Sequence, residues 1–175
     1  MKKSIVLIGF MGVGKTTLGK ELARKLQCGF LDIDAEIEAK YGMEAVDIFK
    51  VYGEKEFRKT EREMIVDACQ LEGRVISVGG GAFMQEEIRK ACIEHAIVIF
   101  LDMTFDYWKE RISLLLPTRP VLQGKSLEEI KSLFDERQAI YKEHHIRLLI
   151  DNLDVDAAVQ TIHDKLKLLK VRKGV

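Results

Sequence analysis

"IVLIGFMGVGKTTLGKEL", residues 5–22, is the stretch from which the fold can be read. Four apolar residues, Ile5 to Ile8, run straight into Gly9, Gly12, Gly14, Lys15 and Thr16 at the spacing G-x-x-x-x-G-K-[ST]. A short apolar run suits a buried parallel strand, and Leu18, Leu22, Ala23 and Leu26 recur at helical spacing after Lys15. Strand, glycine loop and helix therefore follow one another in the order a phosphate-binding loop needs. The spacing has a physical basis. A polyanion must be wrapped by backbone N–H groups, glycines let the chain approach it without a Cβ in the way, and a helix N-terminus adds unpaired donors and positive dipole. Lys15 is then expected to reach the β- and γ-phosphates of a nucleoside triphosphate, and the Thr16 hydroxyl to ligate Mg2+.

The rest of the chain alternates between strand and helix patterns. Apolar, β-rich runs at Ile5–Ile8, Phe30–Ile33, Val75–Val78, Ile97–Leu101 and Leu148–Ile150 are separated by stretches of helical period. Those stretches include Glu54–Leu71, Gln85–Glu94, Phe105–Leu115, Leu127–Glu143 and Val155–Leu169. The alternation predicts an α/β fold of three layers, α/β/α, with a five-stranded parallel sheet. At 175 residues, 47% hydrophobic and 32% charged, the chain fits one domain and excludes two large ones. Its 28 basic and 28 acidic residues cancel, so no global field draws it to nucleic acid or to an anionic membrane. No run approaches a membrane span, and Met-Lys-Lys-Ser leads into the first strand without a signal-type apolar region, so a cytoplasmic location is expected. Cys28, Cys69 and Cys92 are unpaired in spacing and read as reduced thiols. The four histidines, at 95, 144, 145 and 163, lack ligand spacing and read as surface or helix residues. No apolar helix face stands out, so a monomer is the default expectation.

In a parallel sheet, ligands bind beyond the carboxyl ends of the strands, so each strand exit can be inspected for chemistry. The second strand exits through "FLDIDAEIE", where Asp32 and Asp34 would share one face of an extended chain. A helix cap explains them without function, but beside a phosphate loop one carboxylate can support Mg2+ through its water shell and the other can accept a hydrogen bond from an attacking hydroxyl. The third strand exits through "VISVGGGAF". Three consecutive glycines, Gly79 to Gly81, carry a large ordering cost, so either they form a flexible turn or a ligand presses on bare backbone, and the ligand is favoured here. An acidic residue is missing at this strand end, which leaves metal support to Asp32.

Taken together, "GFMGVGKTT", "LDIDAEIE", "GEKEFRKTE", "SVGGGAF", "TRPVL" and "ERQAIY", in that order, resemble the shikimate kinases, small members of the nucleoside monophosphate kinase-like P-loop NTPase fold. The resemblance covers nearly the whole chain. It implies phosphorylation of the 3-hydroxyl of shikimate by ATP, on the chorismate route to aromatic amino acids. By the same resemblance Gly12, Val13, Gly14, Lys15, Thr16 and Thr17 bind ATP, Thr16 and Asp32 hold the metal, and Asp34, Arg58, Gly80, Gly81 and Arg137 bind shikimate. Residues 34–72 would form the substrate-binding region, and residues 116–125 a lid whose Arg119 reaches the phosphates. Arg111 would lie against the adenine. Lys15, Asp34 and Arg119 would be catalytic. Chemistry agrees: a small carboxylate with three hydroxyls calls for guanidinium forks and a nearby acceptor. Taken without the family pattern, Arg58 in "EKEFRKTERE" reads rather as one of many solvated helix charges, and Glu61 one turn on could hold its guanidinium in place.

Two features depart from the family pattern. "DNLDVDAA" places Leu153 and Val155 where many relatives carry an arginine and a proline near the adenine, and "LLLPTRPVL" is more apolar than the approach to a lid requires. Other readings stay open. A kinase acting on gluconate or a nucleoside monophosphate would use the same loop. A guanine-nucleotide switch would need N-K-x-D, which is absent from the sequence.

Overall fold

The computed structural model describes residues 3–115 and 124–172, the side chains of 111–115 and 170–172 excepted. Five strands form one sheet: β1 (Ile5–Ile8), β2 (Gly29–Asp32), β3 (Arg74–Ser77), β4 (Ile97–Asp102) and β5 (Ile146–Leu149). Their spatial order is β2-β3-β1-β4-β5, and every neighbouring pair is parallel. β1, with all four residues buried, lies at the centre, with Val6 beside Ile76 of β3 and Val98 of β4. This is the α/β sheet that the apolar runs predict, with boundaries shifted by a residue or two.

Among the described residues, six α-helices connect the strands, α1 (Lys15–Leu26), α2 (Ile33–Tyr41), α3 (Ala45–Gln70), α4 (Glu86–His95), α5 (Phe105–Leu115) and α6 (Leu127–Ile140), and α7 (Val155–Arg172) follows the last strand. The strand order sorts them. The chain moves outward from β1 to β2 through α1, then returns across the sheet through β3, β4 and β5, and right-handed crossovers put helices of opposite travel on opposite faces. Accordingly α3 packs on α2 and α4, and α7, which follows β5, packs on α1. The core is one continuous apolar cluster built from the strands and the inner helix faces.

α3 begins at Ala45, nine residues before the helical pattern at Glu54 suggests, and is broken at Gly53, whose φ of 83° and ψ of 161° are not helical. The glycine starts a second helical run, and that run carries Arg58 and Glu61. Of the cysteines, Cys69 and Cys92 are buried with their sulfurs 3.6 Å apart, and Cys28 is half-buried. His145 is partly buried rather than on the surface: its Nδ1 accepts from the Val98 N–H at 3.0 Å, and its own N–H donates to the Val98 carbonyl at 2.9 Å.

Candidate active site

The loop after β1 turns into α1 through Gly14, whose φ of 94° and ψ of 23° lie in the left-handed region where a side chain would be strained. That turn directs the first amides of α1 towards the cleft above the sheet. Gly12, Gly14, Lys15, Thr16, Asp32, Asp34 and Ser77 line this cleft together with Met11 and Val78–Gly80. Thr16 Oγ1 donates to Asp32 Oδ2 at 2.6 Å. Lys15 is 9% exposed, and its Nζ donates to the carbonyls of Gly9 at 2.8 Å and Phe10 at 3.0 Å. The ammonium is thus stored at the rim of the loop, where a phosphate tail would compete for it.

Asp32 and Asp34 do not share the face of a strand. β2 ends at Asp32, which caps α2 by accepting from the Ala35 N–H at 3.4 Å, and Asp34 stands in the first turn of that helix. Residues of a helix rotate about 100° per position, so a two-residue spacing no longer returns to the same face. The two carboxylates consequently part company. Asp32 stays with Thr16, and Asp34 faces both the phosphate cleft and the pocket beside it.

That second pocket is lined by Asp34, Ala45, Phe49, Phe57, Arg58, Glu61, Gly79–Gly81, Arg137 and Met11. Arg58 comes from α3 and lies near the rings of Phe49 and Phe57, at 5.9 Å and 5.6 Å. Its Nη1 donates to Glu61 Oε2 at 2.7 Å, one helical turn on, and Gln85 Nε2 donates to the same oxygen at 3.0 Å. Burial opposes the Arg58 charge, but the carboxylates of Glu61 and Glu54 outweigh it and hold its pKa above the ordinary value. Glu61 is 1% exposed, and burial pushes its carboxyl upward despite Arg58, with the Asp34 charge adding to the rise.

Arg137, near the end of α6, is 4% exposed and lies over the Phe10 ring at 5.4 Å. Its Nε and Nη1 are buried without a hydrogen-bond partner. Burial lowers its pKa, and the neighbouring Arg58 charge adds to that effect. Buried donors are normally satisfied, so a guanidinium left with two open donors is a candidate site for an anion.

None of the three glycines after β3 has a positive φ. Space favours glycine at each, against backbone at Gly80 and against side-chain ends at Gly79 and Gly81. A Cβ at Gly79 would come within 2.9 Å of Asp34 Oδ1 and Glu61 Oε1, one at Gly80 within 3.0 Å of the Met11 nitrogen, and one at Gly81 within 2.8 Å of Arg58 Nη2. The triplet is therefore a tightly packed floor, not a flexible turn.

Three anchoring residues have no assigned role in the sequence reading. Trp108 of α5 is fully buried and its Nε1 donates to the Met11 carbonyl at 2.7 Å, within an aromatic group that includes Phe10, Phe105 and Phe134. Gln85 holds Glu61, and Tyr141 reaches the Gly80 carbonyl. For Tyr141 a signal exists, since it lies one turn after Arg137; nothing in the spacing marks the other two. At the far end of the loop, Val13, Gly14, Thr17, Tyr107, Ile150, Leu153 and Val155 line a cleft that is apolar at Leu153 and Val155. The Arg111 side chain, Arg119 and residues 116–123 of the expected lid lie outside the described residues.

Glu61 has a measurable consequence. A carboxyl with a folded pKa above its unfolded one binds its proton more tightly in the native state, so it costs stability as pH rises from the unfolded pKa through the folded one. Glu61→Gln removes that titration. The stability difference between wild type and variant, from urea unfolding at a series of pH values, is expected to move against wild type as pH rises just above the ordinary carboxylate range. A difference independent of pH there would contradict the buried, ionising Glu61.

Comparison with known proteins places the chain. The family model for shikimate kinase matches residues 11–167. The shikimate kinase of Oceanobacillus iheyensis is 49% identical over 167 residues, 95% of this chain and 91% of the relative. The crystal structure of shikimate kinase from Bacteroides thetaiotaomicron superposes with a TM-score of 0.87 at 31% identity, covering 95% of this chain and 99% of that one. The shikimate kinase of Acinetobacter baumannii in complex with shikimate gives a TM-score of 0.85 at 31% identity, with 99% and 96% covered. With the phosphate loop, the adjoining two-arginine pocket and these similarities in hand, the chain belongs to the shikimate kinase family.

Proposed function

We propose that this chain transfers the γ-phosphoryl group of ATP to the 3-hydroxyl of shikimate, giving shikimate 3-phosphate and ADP on the chorismate route to aromatic amino acids. The observation that carries the reading is Arg137, a buried guanidinium with two open donors, set beside Arg58 in a pocket that shares Asp34 with the phosphate cleft. Two guanidinium groups receive the carboxylate of the acceptor, with Gly80 and Gly81 as the floor beneath it. Asp34, at the junction, orients the attacking hydroxyl and takes its proton as the new P–O bond forms and the bond from the γ-phosphorus to the bridging oxygen of ADP breaks.

Gly12, Val13, Gly14, Thr16 and Thr17 wrap the phosphate tail, and Lys15 leaves the carbonyls of Gly9 and Phe10 to neutralise the transferring group. The Thr16 hydroxyl and Asp32 carboxylate, 2.6 Å apart, are hard oxygen donors of the kind Mg2+ prefers. When bound there, Mg2+ would screen charge between the β- and γ-phosphates. The base lies against Leu153 and Val155 by apolar contact, and Arg111 is assigned to the adenine by the family pattern alone. Arg119 and the 116–125 lid are assigned to the phosphates by the family pattern alone, and the reaction calls for water to be kept from the γ-phosphate. Among the described residues no helix is long and apolar enough to cross a membrane. We place the reaction in the cytoplasm, carried out by a monomer with only small-molecule partners and without nucleic acid or membrane.

A coupled ADP-release assay with Mg-ATP and, in parallel, shikimate, gluconate, AMP and CMP tests the acceptor. Turnover is expected with shikimate alone. Arg58→Ala should lower kcat/KM for shikimate by roughly 10- to 100-fold, the loss of one charge-assisted contact of about 1.5–3 kcal/mol. Turnover with gluconate or a nucleotide and none with shikimate would overturn the acceptor while leaving the phosphate loop intact.

A further inference from the structure

Arg137 and Tyr141 stand one helical turn apart, at the end of α6, and both reach the glycine floor. Tyr141 is 1% exposed, and its Oη donates to the Gly80 carbonyl at 2.5 Å. Its position is held from several sides. Its N–H donates to the Arg137 carbonyl at 3.0 Å, its own carbonyl pairs with His144 Nδ1 at 2.6 Å, and its ring packs against Phe100 of β4 with centroids 5.2 Å apart. A phenol so fixed imposes its direction on whatever it bonds.

What it bonds has no side chain to orient it. The Gly80–Gly81 peptide is trans, and in a planar trans peptide the carbonyl and the following N–H point in opposite directions. With the Gly80 carbonyl drawn towards Tyr141, the Gly81 N–H is turned away from it, and both glycines line the acceptor pocket. The Arg137 Nη1 stands 3.4 Å from where a Gly80 Cβ would be, so the same helix end sets the guanidinium and the peptide plane together.

We propose that Tyr141 is a positioning residue for the acceptor: its buried hydroxyl fixes the Gly80–Gly81 peptide plane against α6, and so the backbone donor and the guanidinium that together receive a carboxylate-bearing polyol. The inference rests on the acceptor reading above. Tyr141→Phe keeps the ring and removes only the hydroxyl. KM for shikimate is expected to rise about tenfold, the order of one buried hydrogen bond, with kcat and KM for ATP changed less than twofold. As a packing control, Ile162→Val, buried in α7 and not lining the acceptor pocket, should lower the thermal unfolding midpoint and leave KM for shikimate unchanged.

Wild type is assayed first, and absence of turnover with shikimate would overturn the acceptor reading itself. Given turnover, an unchanged KM for shikimate in Tyr141→Phe, or a parallel rise in KM for ATP, would overturn the positioning role. Should the variant not fold, amide hydrogen exchange at Gly81 in the wild-type protein serves instead. Slowing by shikimate supports the oriented N–H, and exchange unaffected by saturating shikimate refutes it.

Discussion

Lys15→Ala is expected to lower kcat by roughly 10²–10³-fold, the cost of one preorganised donor aimed at transition-state charge. Its Nζ lies at the mouth of the loop on the Gly9 and Phe10 carbonyls, and the side chain is nearly buried, so no other cation among the described residues of this cleft stands in for it. Phosphoryl transfer leaves little covalent work to a protein, which makes charge stabilisation the larger part of the rate. The check is kcat from steady-state ADP release at saturating shikimate, with unfolding midpoints compared to exclude a folding defect. A loss below about fivefold would place the transferring phosphate away from this loop.

Asp34→Asn is expected to cost roughly 10²–10⁴-fold in kcat, the range for a positioned general base, with a much smaller change in KM for shikimate. The reason is its place. Asp34 lines both the phosphate cleft and the arginine pocket, whereas Arg58 and Arg137 line the arginine pocket alone, so in the proposed reaction Asp34 meets the hydroxyl at the point of transfer and the two arginines meet the other end of the acceptor. The two kinds of variant should therefore separate: Arg58→Ala acts mainly on KM and Asp34→Asn mainly on kcat. Equal effects of both on KM would show that Asp34 binds without taking part in the proton transfer.

Much of this site is legible along the chain, but unevenly. Lys15 and Thr16 follow from eight consecutive residues, because the loop closes on itself and needs no distant partner. The glycine triplet signals close approach, yet its neighbours cannot be named from sequence, since Asp34, Glu61 and Arg58 arrive from α2 and α3. Asp32 and Asp34 show the limit of a local rule. An extended chain would place them on one face, but the Asp32 side chain caps α2 and starts a helix between them.

Sequence alone determined the phosphate loop and the parallel α/β class, because these depend on contacts within one turn, one strand or one loop. Tertiary structure decided which charges matter. Arg58 is drawn in by Glu61 while Arg62, four residues on, pairs outward with Glu87; Arg137 is buried with open donors; and Trp108 and Tyr141 pin the loop and the glycine floor. Cys69 and Cys92, 23 residues apart, come to within 3.6 Å by the same route. Such meetings are set by strand order and crossover hand, which bring chain segments together over separations that no local spacing encodes.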